Sequence, residues 1–330
     1  MQTVKVNFAL QGGGAHGAFT WGVIDRLLEE EWLEFEGVSG SSAGAMNALM
    51  LAEGWRLGGR SGAQSKLNEF WGAVSAMERG PALSEYLEGS MARLWLHTMK
   101  YVSPYDINLL DINPLRSLLN QLVDFEALSS DSPFRLFMAA TEVRSGKLKI
   151  FRETELTVEH LLASACLPAM HKAIDIEGVN YWDGGFSANP AIFPLLYDCD
   201  SDDVIIVLLQ SLVGSDLPIT AEAITERVTE MSFQSSFMRE MSEIANIKRL
   251  SKRKWFPLGV AERKITKLRT HLIQSDELLA GLGRSSKYDT RKVFLDSLKA
   301  AGRDSAAIWL ELYQDKLGKK ASCDIDALFA

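Results

Sequence analysis

Cysteine is scarce in this chain: Cys166, Cys199 and Cys323 are the only three among 330 residues. An odd, scattered set builds no disulfide framework and reads as incidental thiols in a reducing compartment. Neither an H-E-x-x-H pattern nor a cluster of Cys and His is present, so no metal site and no cofactor is expected. No run of 18 apolar residues occurs, so no membrane-spanning helix is expected. The opening residues lack a basic region followed by a long apolar stretch. No secretory signal is therefore expected, and the location is read as cytoplasmic, at most peripheral to a membrane. Positive charge is also in deficit. The chain has 35 Lys and Arg against 43 Asp and Glu, a formal net charge of −8, which argues against nucleic acid as a partner.

What is present is a globular composition. Hydrophobic residues make up 47% and charged residues 24%, and a chain of this length can bury a large core. Residues 4–10 are rich in strand formers, a glycine loop comes next, and residues 16–30 then carry Phe19, Val23 and Leu27 at helical spacing. Residues 35–38 read as the end of a second strand, followed by a small-residue turn and a helix to about Ala52. Two strand–loop–helix units within fifty residues predict an α/β layered fold. Further strands are expected at 134–143, 147–151, 173–176 and 203–210, with one late strand at 268–274. Residues 1–210 are read as a catalytic core. Residues 211–330 are read as a mainly helical part packed on it rather than an independent domain. Residues 61–122 read as helices broken at Gly80-Pro81 and Ser103-Pro104; within them a Met- and Trp-bearing stripe at residues 83–101 reads as core packing, with a lid over an apolar pocket as the sharper alternative.

Three loops carry the chemical signal. Gly40-Ser41-Ser42-Ala43-Gly44 is a G-x-S-x-G turn between a strand and a helix. That pattern lifts a serine hydroxyl out at a helix N-terminus on a tight, strained bend, where Gly40 and Gly44 leave room for it. Gly12-Gly13-Gly14-Ala15 opens several backbone N–H groups after the first strand, a cradle for an anion or a tetrahedral oxyanion. Gly12, Gly14 and Gly17 also satisfy G-x-G-x-x-G, and Glu34 or Glu36 stands near the spacing of a ribose contact. A dinucleotide-binding protein is thus a rival reading, but it has no use for the serine turn. Asp183-Gly184-Gly185 places a carboxylate at a strand end with little steric cover, although Asp-Gly is also a common turn.

Together these pieces resemble the patatin-like phospholipase family. The match runs through the G-G-G-x-x-G loop at 12–17, G-x-S-x-G at 40–44 and D-G-G at 183–185. It also takes in the small-residue stretch Ala163–Ala169, Ser103-Pro104-Tyr105 and residues 110–115. The resemblance implies a three-layer α/β/α sandwich with a mainly parallel central sheet and a helical C-terminal extension. It implies a catalytic dyad with Ser42 as nucleophile and Asp183 as general base, and an oxyanion loop at Gly12, Gly13, Gly14 and Ala15. Gly184 and Gly185 support it. The implied activity is lipid acyl hydrolysis through an acyl-serine, of the phospholipase A or lysophospholipase type. Acyl transfer to an alcohol is the alternative fate of the same intermediate. Where the family often carries Arg or Lys, this chain has His16.

Desolvation by neighbours such as Trp182 and Phe186 is expected to raise the pKa of Asp183 and make it a usable base. Of the five histidines, His271 alone follows Ser42 and Asp183 in the chain order of an α/β-hydrolase triad. It is the minority alternative to the dyad. Residues 248–269 hold nine basic residues and one acid, Glu262. The plain reading is a solvated helical face. The functional one is contact with anionic lipid at Lys252, Arg253, Lys254 and Trp255.

Overall fold

The computed structural model describes residues 3–77, 103–107, 113–212, 217–251, 259–275, 278, 282 and 284–329. The 83–101 stripe, His97 and the expected lipid contacts Lys252, Arg253, Lys254 and Trp255 lie outside the described residues. The elements run β1 (Val4–Leu10), α1 (Gly17–Leu27), β2 (Leu33–Gly40), α2 (Ala43–Met77), α3 (Pro104–Ile107), α4 (Pro114–Leu122), α5 (Phe125–Ser130), β3 (Arg135–Glu142) and β4 (Leu148–Arg152). They continue with α6 (Val158–Ser164), β5 (Ile174–Ile176), β6 (Val179–Asp183), α7 (Phe193–Asp198), β7 (Asp203–Val207), α8 (Ala221–Ser251), α9 (Val260–Lys267), β8 (Arg269–Ile273), α10 (Lys292–Tyr313) and α11 (Ile325–Phe329).

β1 is the hub of the sheet, paired in parallel with β2 on one side and β7 on the other. The sheet order is β5-β6-β3-β2-β1-β7-β8, with β4 also on β3. β3, β2, β1, β7 and β8 are parallel; β4, β5 and β6 are joined by antiparallel pairings. Alternation along the strands sorts side chains into two cores. Phe8, Leu10, Ile205 and Val207 pack with α1, α2 and α10. Ala9, Val204 and Ile206, on the opposite face, pack with Leu195 of α7, Phe237 of α8, Ile265 of α9 and Phe329 of α11. The fold is therefore a three-layer α/β/α sandwich. Its C-terminal third extends the same sheet through β8 and lays α10 against α1, where a side chain at Gly22 would collide with the Lys299 carbonyl.

The structure departs from the sequence reading in two elements. First, α2 does not stop near Ala52. It continues to Met77 through a break at Gly58–Gly59, where Gly59 takes φ +60°. Its second half folds back on the first, since Trp71 Nε1 donates to Asn47 Oδ1 at 3.0 Å. Gly54 and Gly62 lie against each other so closely that a Cβ on Gly54 would stand 2.5 Å from the Gly62 carbonyl oxygen. Second, the strand at 203 ends at Val207 rather than Gln210. Leu209 N–H leaves the ladder to donate to Gln11 Oε1 at 2.6 Å.

The edge of β3 decides where the loops meet. β4 holds residues 137–141 of β3, so β2, at 135–138, and β6, at 140–142, must share the other edge end to end. β2 ends at Gly40 opposite Met138, and β6 ends at Asp183 opposite Ala140. One residue of β3, Ala139, thus separates the position opposite the end of β2, the strand leading into Ser42, from that opposite Asp183.

The far end of the sheet is pinned by Asp203, the first residue of β7. Its carboxylate accepts from Arg269 Nε at 3.0 Å and Nη2 at 2.6 Å, from His271 Nε2 at 3.0 Å and from Gly318 N–H at 3.1 Å. Its side chain is 2% exposed. Removing one member of a buried pair leaves the partners uncompensated. Asp203→Ala is expected to lower the unfolding free energy by about 3 kcal/mol, the low end for a buried pair, because Arg269 keeps Asp202 at 3.5 Å. Urea denaturation measures this, and an unchanged midpoint would refute it.

Candidate active site

Gly40 and Gly44 pinch the turn between β2 and α2. A Cβ on Gly40 would stand 2.5 Å from the Gly44 carbonyl carbon, and one on Gly44 would collide with the Leu10 carbonyl oxygen. Ser42, between them, takes φ +53°, a left-handed conformation that costs a non-glycine residue energy and persists only where its surroundings enforce it. Here the Ser42 N–H donates to both the carbonyl oxygen and Oγ of Ser164, each at 3.1 Å. Ser41 Oγ donates to the Ala188 carbonyl at 2.5 Å. The hydroxyl of Ser42 stands at the N-terminal end of α2, where the helix dipole favours negative charge.

Asp183 closes β6 and has no solvent exposure. Its Oδ1 accepts the Gly185 N–H at 2.7 Å, and its carbonyl accepts from Thr141 Oγ1 at 2.8 Å. Oδ2 is buried without a completed hydrogen bond among the described residues. Burial pushes the carboxyl pKa up to about 7, against the pull of the Gly185 amide and of the Ser42 hydroxyl. The serine hydroxyl is thus near enough to the carboxyl to lower its pKa. Of the aromatic neighbours expected to shield Asp183, Trp182 is half-buried and Phe186 is partly exposed, tilted against Phe233 with ring centroids 4.5 Å apart. Phe233 also covers Gly185, where a Cβ would stand 2.5 Å from the ring.

The glycine loop lies directly on the serine turn. A Cβ on Gly12 would stand 2.6 Å from Ser41 O and 2.9 Å from Ser42 Cβ, so only glycine fits. The Gly12 N–H is committed to Asn189 Oδ1 at 2.7 Å. Among the described residues no acceptor takes the N–H of Gly13 or Gly14. His16 is buried, and burial followed by the charge of Lys287 lowers its pKa to about 4. It is therefore neutral at pH 7 and brings no cation to the loop.

Gly12, Gly13, Gly14, Ala15, Ser42 and Asp183 all border one cavity of about 440 Å³, within the range of small-molecule sites. It opens at the carboxyl ends of β1 and β7, where the strand order reverses, the usual place for a site in an open α/β sheet. Met46, Phe70, Trp71 and Val74 of the α2 hairpin, with Leu115, Leu167 and Met170, make an apolar wall. Thr229, Glu230, Lys287, Tyr288 and Thr290 make a more polar one.

The structure thus brings together Ser42, Asp183 and the whole glycine loop, with Gly40, Gly44, Gly184 and Gly185 as their close-packed supports. His271 is elsewhere: it pairs with Ile205 in β8, bonded to Asp203 and Ser322, three strand spacings or roughly 14 Å to the side of β2. His171 borders the cavity, and His160 caps α6. The acids of the dinucleotide reading are misplaced as well. Glu34 and Glu36 sit in the first half of β2, away from the loop, and Glu36 accepts the N–H groups of Asp200 and Ser201 at 2.8 Å each. Sequence reading missed Asn189 and Ser164. The first was signalled only by an Asn-Pro pair after D-G-G, the second by its place in the small-residue stretch.

The chain is similar to the uncharacterized protein YjjU of Escherichia coli (strain K12), 24% identical over 201 residues, 56% of this chain and 47% of that protein. It therefore spans about half the length of that curated relative. Among solved structures it is similar to VipD from Legionella pneumophila, at 14% identity and a TM-score of 0.41, covering 94% of this chain and 67% of that one. It is similar also to the heterodimeric ExoU-SpcU complex from the type III secretion system of Pseudomonas aeruginosa, at 16% identity and a TM-score of 0.32, covering 96% and 76%. The family model for patatin-like phospholipase matches residues 8–196, a stretch that contains the glycine loop, the serine turn and Asp183. The chain belongs to the patatin-like phospholipase family.

Proposed function

We propose that the protein hydrolyses carboxylic esters of lipids through an acyl-serine intermediate, with Ser42 as nucleophile and Asp183 as general base. The observation that carries this reading is a fully buried carboxyl, its pKa raised to about 7, facing a serine on a strained turn. Ser42 Oγ attacks the ester carbonyl and its proton passes to Asp183 Oδ2. The carbonyl electrons move onto oxygen, where the Gly13 and Gly14 amides stabilise the charge. Gly12 admits the loop to the serine while its own amide is held by Asn189, and Ala15 completes the wall. Collapse of the tetrahedral adduct returns the proton to the departing alcohol or lysolipid. Water, deprotonated by Asp183, then releases the fatty acid. The apolar wall from α2 suits an acyl chain. Among the described residues no helix is long and apolar enough to cross a membrane.

Two measurements test the reading. A panel of phospholipids, lysophospholipids and neutral lipid esters, with an acceptor alcohol in one arm to reveal acyl transfer, is assayed with wild type, Ser42→Ala and Asp183→Asn. Both variants are expected to lose about 10⁴-fold or more in kcat, while His271→Ala and His171→Ala keep most of it. A histidine variant as inactive as Ser42→Ala would replace the dyad by a triad. The second measurement is the pH–rate profile. With its pKa raised, Asp183 is protonated below pH 7 and cannot accept the serine proton. Hence kcat/KM is expected to climb about tenfold per pH unit on the acid side and level off above about 7. An acid limb near 4, the ordinary carboxylate value, would sink the desolvated base.

A further inference from the structure

A loop made largely of glycine has little stiffness of its own. Oxyanion donors nonetheless act only if their positions are set before the charge forms, and a misplacement of about 1 Å can cost a hundredfold in rate. What holds Gly13 and Gly14 must therefore come from outside the loop, and two side chains distant in sequence meet its ends. At the first end Asn189, 1% exposed, accepts the Gly12 N–H on Oδ1 at 2.7 Å, and its carbonyl accepts from Gln11 Nε2 at 3.4 Å. The orientation of that amide is set by chemistry, since a backbone donor requires the oxygen. At the second end His16, 2% exposed, bonds through Nε2 to Ser286 Oγ at 2.8 Å. Gly14 lies flush on the Lys287 carbonyl, and Phe294 stands edge-on to the His16 ring at 6.3 Å.

We propose that Asn189 and Ser286 are positioning residues that clamp the oxyanion loop from its two ends, Asn189 through Gly12 and Ser286 through His16. This inference rests on the reading of Ser42 as nucleophile. It assigns a part in the reaction to the C-terminal third, since Ser286 lies beyond the residues 8–196 that match the family. It also gives His16 a task in which charge plays no part. A neutral imidazole, enforced by burial, shares a hydrogen bond with a hydroxyl and adds no charge to the cavity.

The clamp predicts effects on the transition state and not on ground-state binding. The full-length chain is compared as wild type, Asn189→Ala and the isosteric pair Ser286→Thr and Ser286→Val, which differ by one hydroxyl. Each is assayed on a soluble lipid ester, and for inhibition by a trifluoromethyl ketone, which forms a tetrahedral oxyanion on serine, and by an unreactive ether analogue of the same chain. Asn189→Ala and Ser286→Val are expected to lower kcat about ten- to a hundredfold with KM little changed. The ketone should weaken in parallel and the ether analogue should not, while Ser286→Thr retains wild-type behaviour. Thermal melts of the same preparations report folding, and the Thr/Val comparison stands even if Asn189→Ala fails to fold. Equal kcat for Thr and Val, or ketone and ether weakened alike, overturns the clamp. Fluorophosphonate labelling separates the two levels. An active wild type labelled at Ser42, with Thr and Val equal, overturns the clamp alone. An inactive, unlabelled wild type overturns the hydrolase reading and the clamp with it.

Discussion

The proposed chemistry depends on one carboxyl group being cut off from water. An aspartate in solvent, with a pKa near 3.9, is a poor base for a serine hydroxyl. At the end of β6 the same group loses its hydration and keeps one compensating donor, the Gly185 amide on Oδ1. Its other oxygen is buried without a completed hydrogen bond among the described residues. The fold achieves this through the shared edge of β3. Because β6 continues where β2 stops, the carboxyl lines the same cavity as Ser42.

Much of this was legible in the sequence. Glycine spacing around Ser42 and after β1 reports close approach between backbones, which is a local property, and Asp183-Gly184-Gly185 does the same at the end of β6. The strand expected at 203–210 was legible because a strand buried on both faces shows as an apolar run, and the one at 4–10 because it is rich in strand formers. What stayed hidden depended on partners far away in the chain. Nothing near Asn189 reveals that its oxygen receives an amide 177 residues earlier, and the His16–Ser286 pair spans 270. The α2 hairpin was hidden for another reason. The helix from residue 61 was expected, but only the contact between Gly54 and Gly62 shows that it folds back on the first after the break at Gly58–Gly59.

Helices from both faces of the sheet line the cavity. Met46, Phe70, Trp71 and Val74 come from α2 on one face, and Thr229, Glu230 and Phe233 come from α8 on the opposite face. A substrate lying across the serine therefore bridges both layers over the carboxyl ends of the strands. Its apolar part has rigid, well-packed aromatic neighbours in Phe70 and Trp71, themselves edge-to-face at 5.4 Å.

The contact between His16 and Ser286 has a consequence for a chain still being made. Ser42 and the glycine loop leave the ribosome early, and the carboxyl they face emerges some 140 residues later. Ser286, which touches the loop through His16, follows that carboxyl by about a hundred residues more. Domains tend to fold as units during synthesis, and contacts this far apart in sequence form late. A growing chain would then carry Ser42 long before that residue sits in a finished pocket.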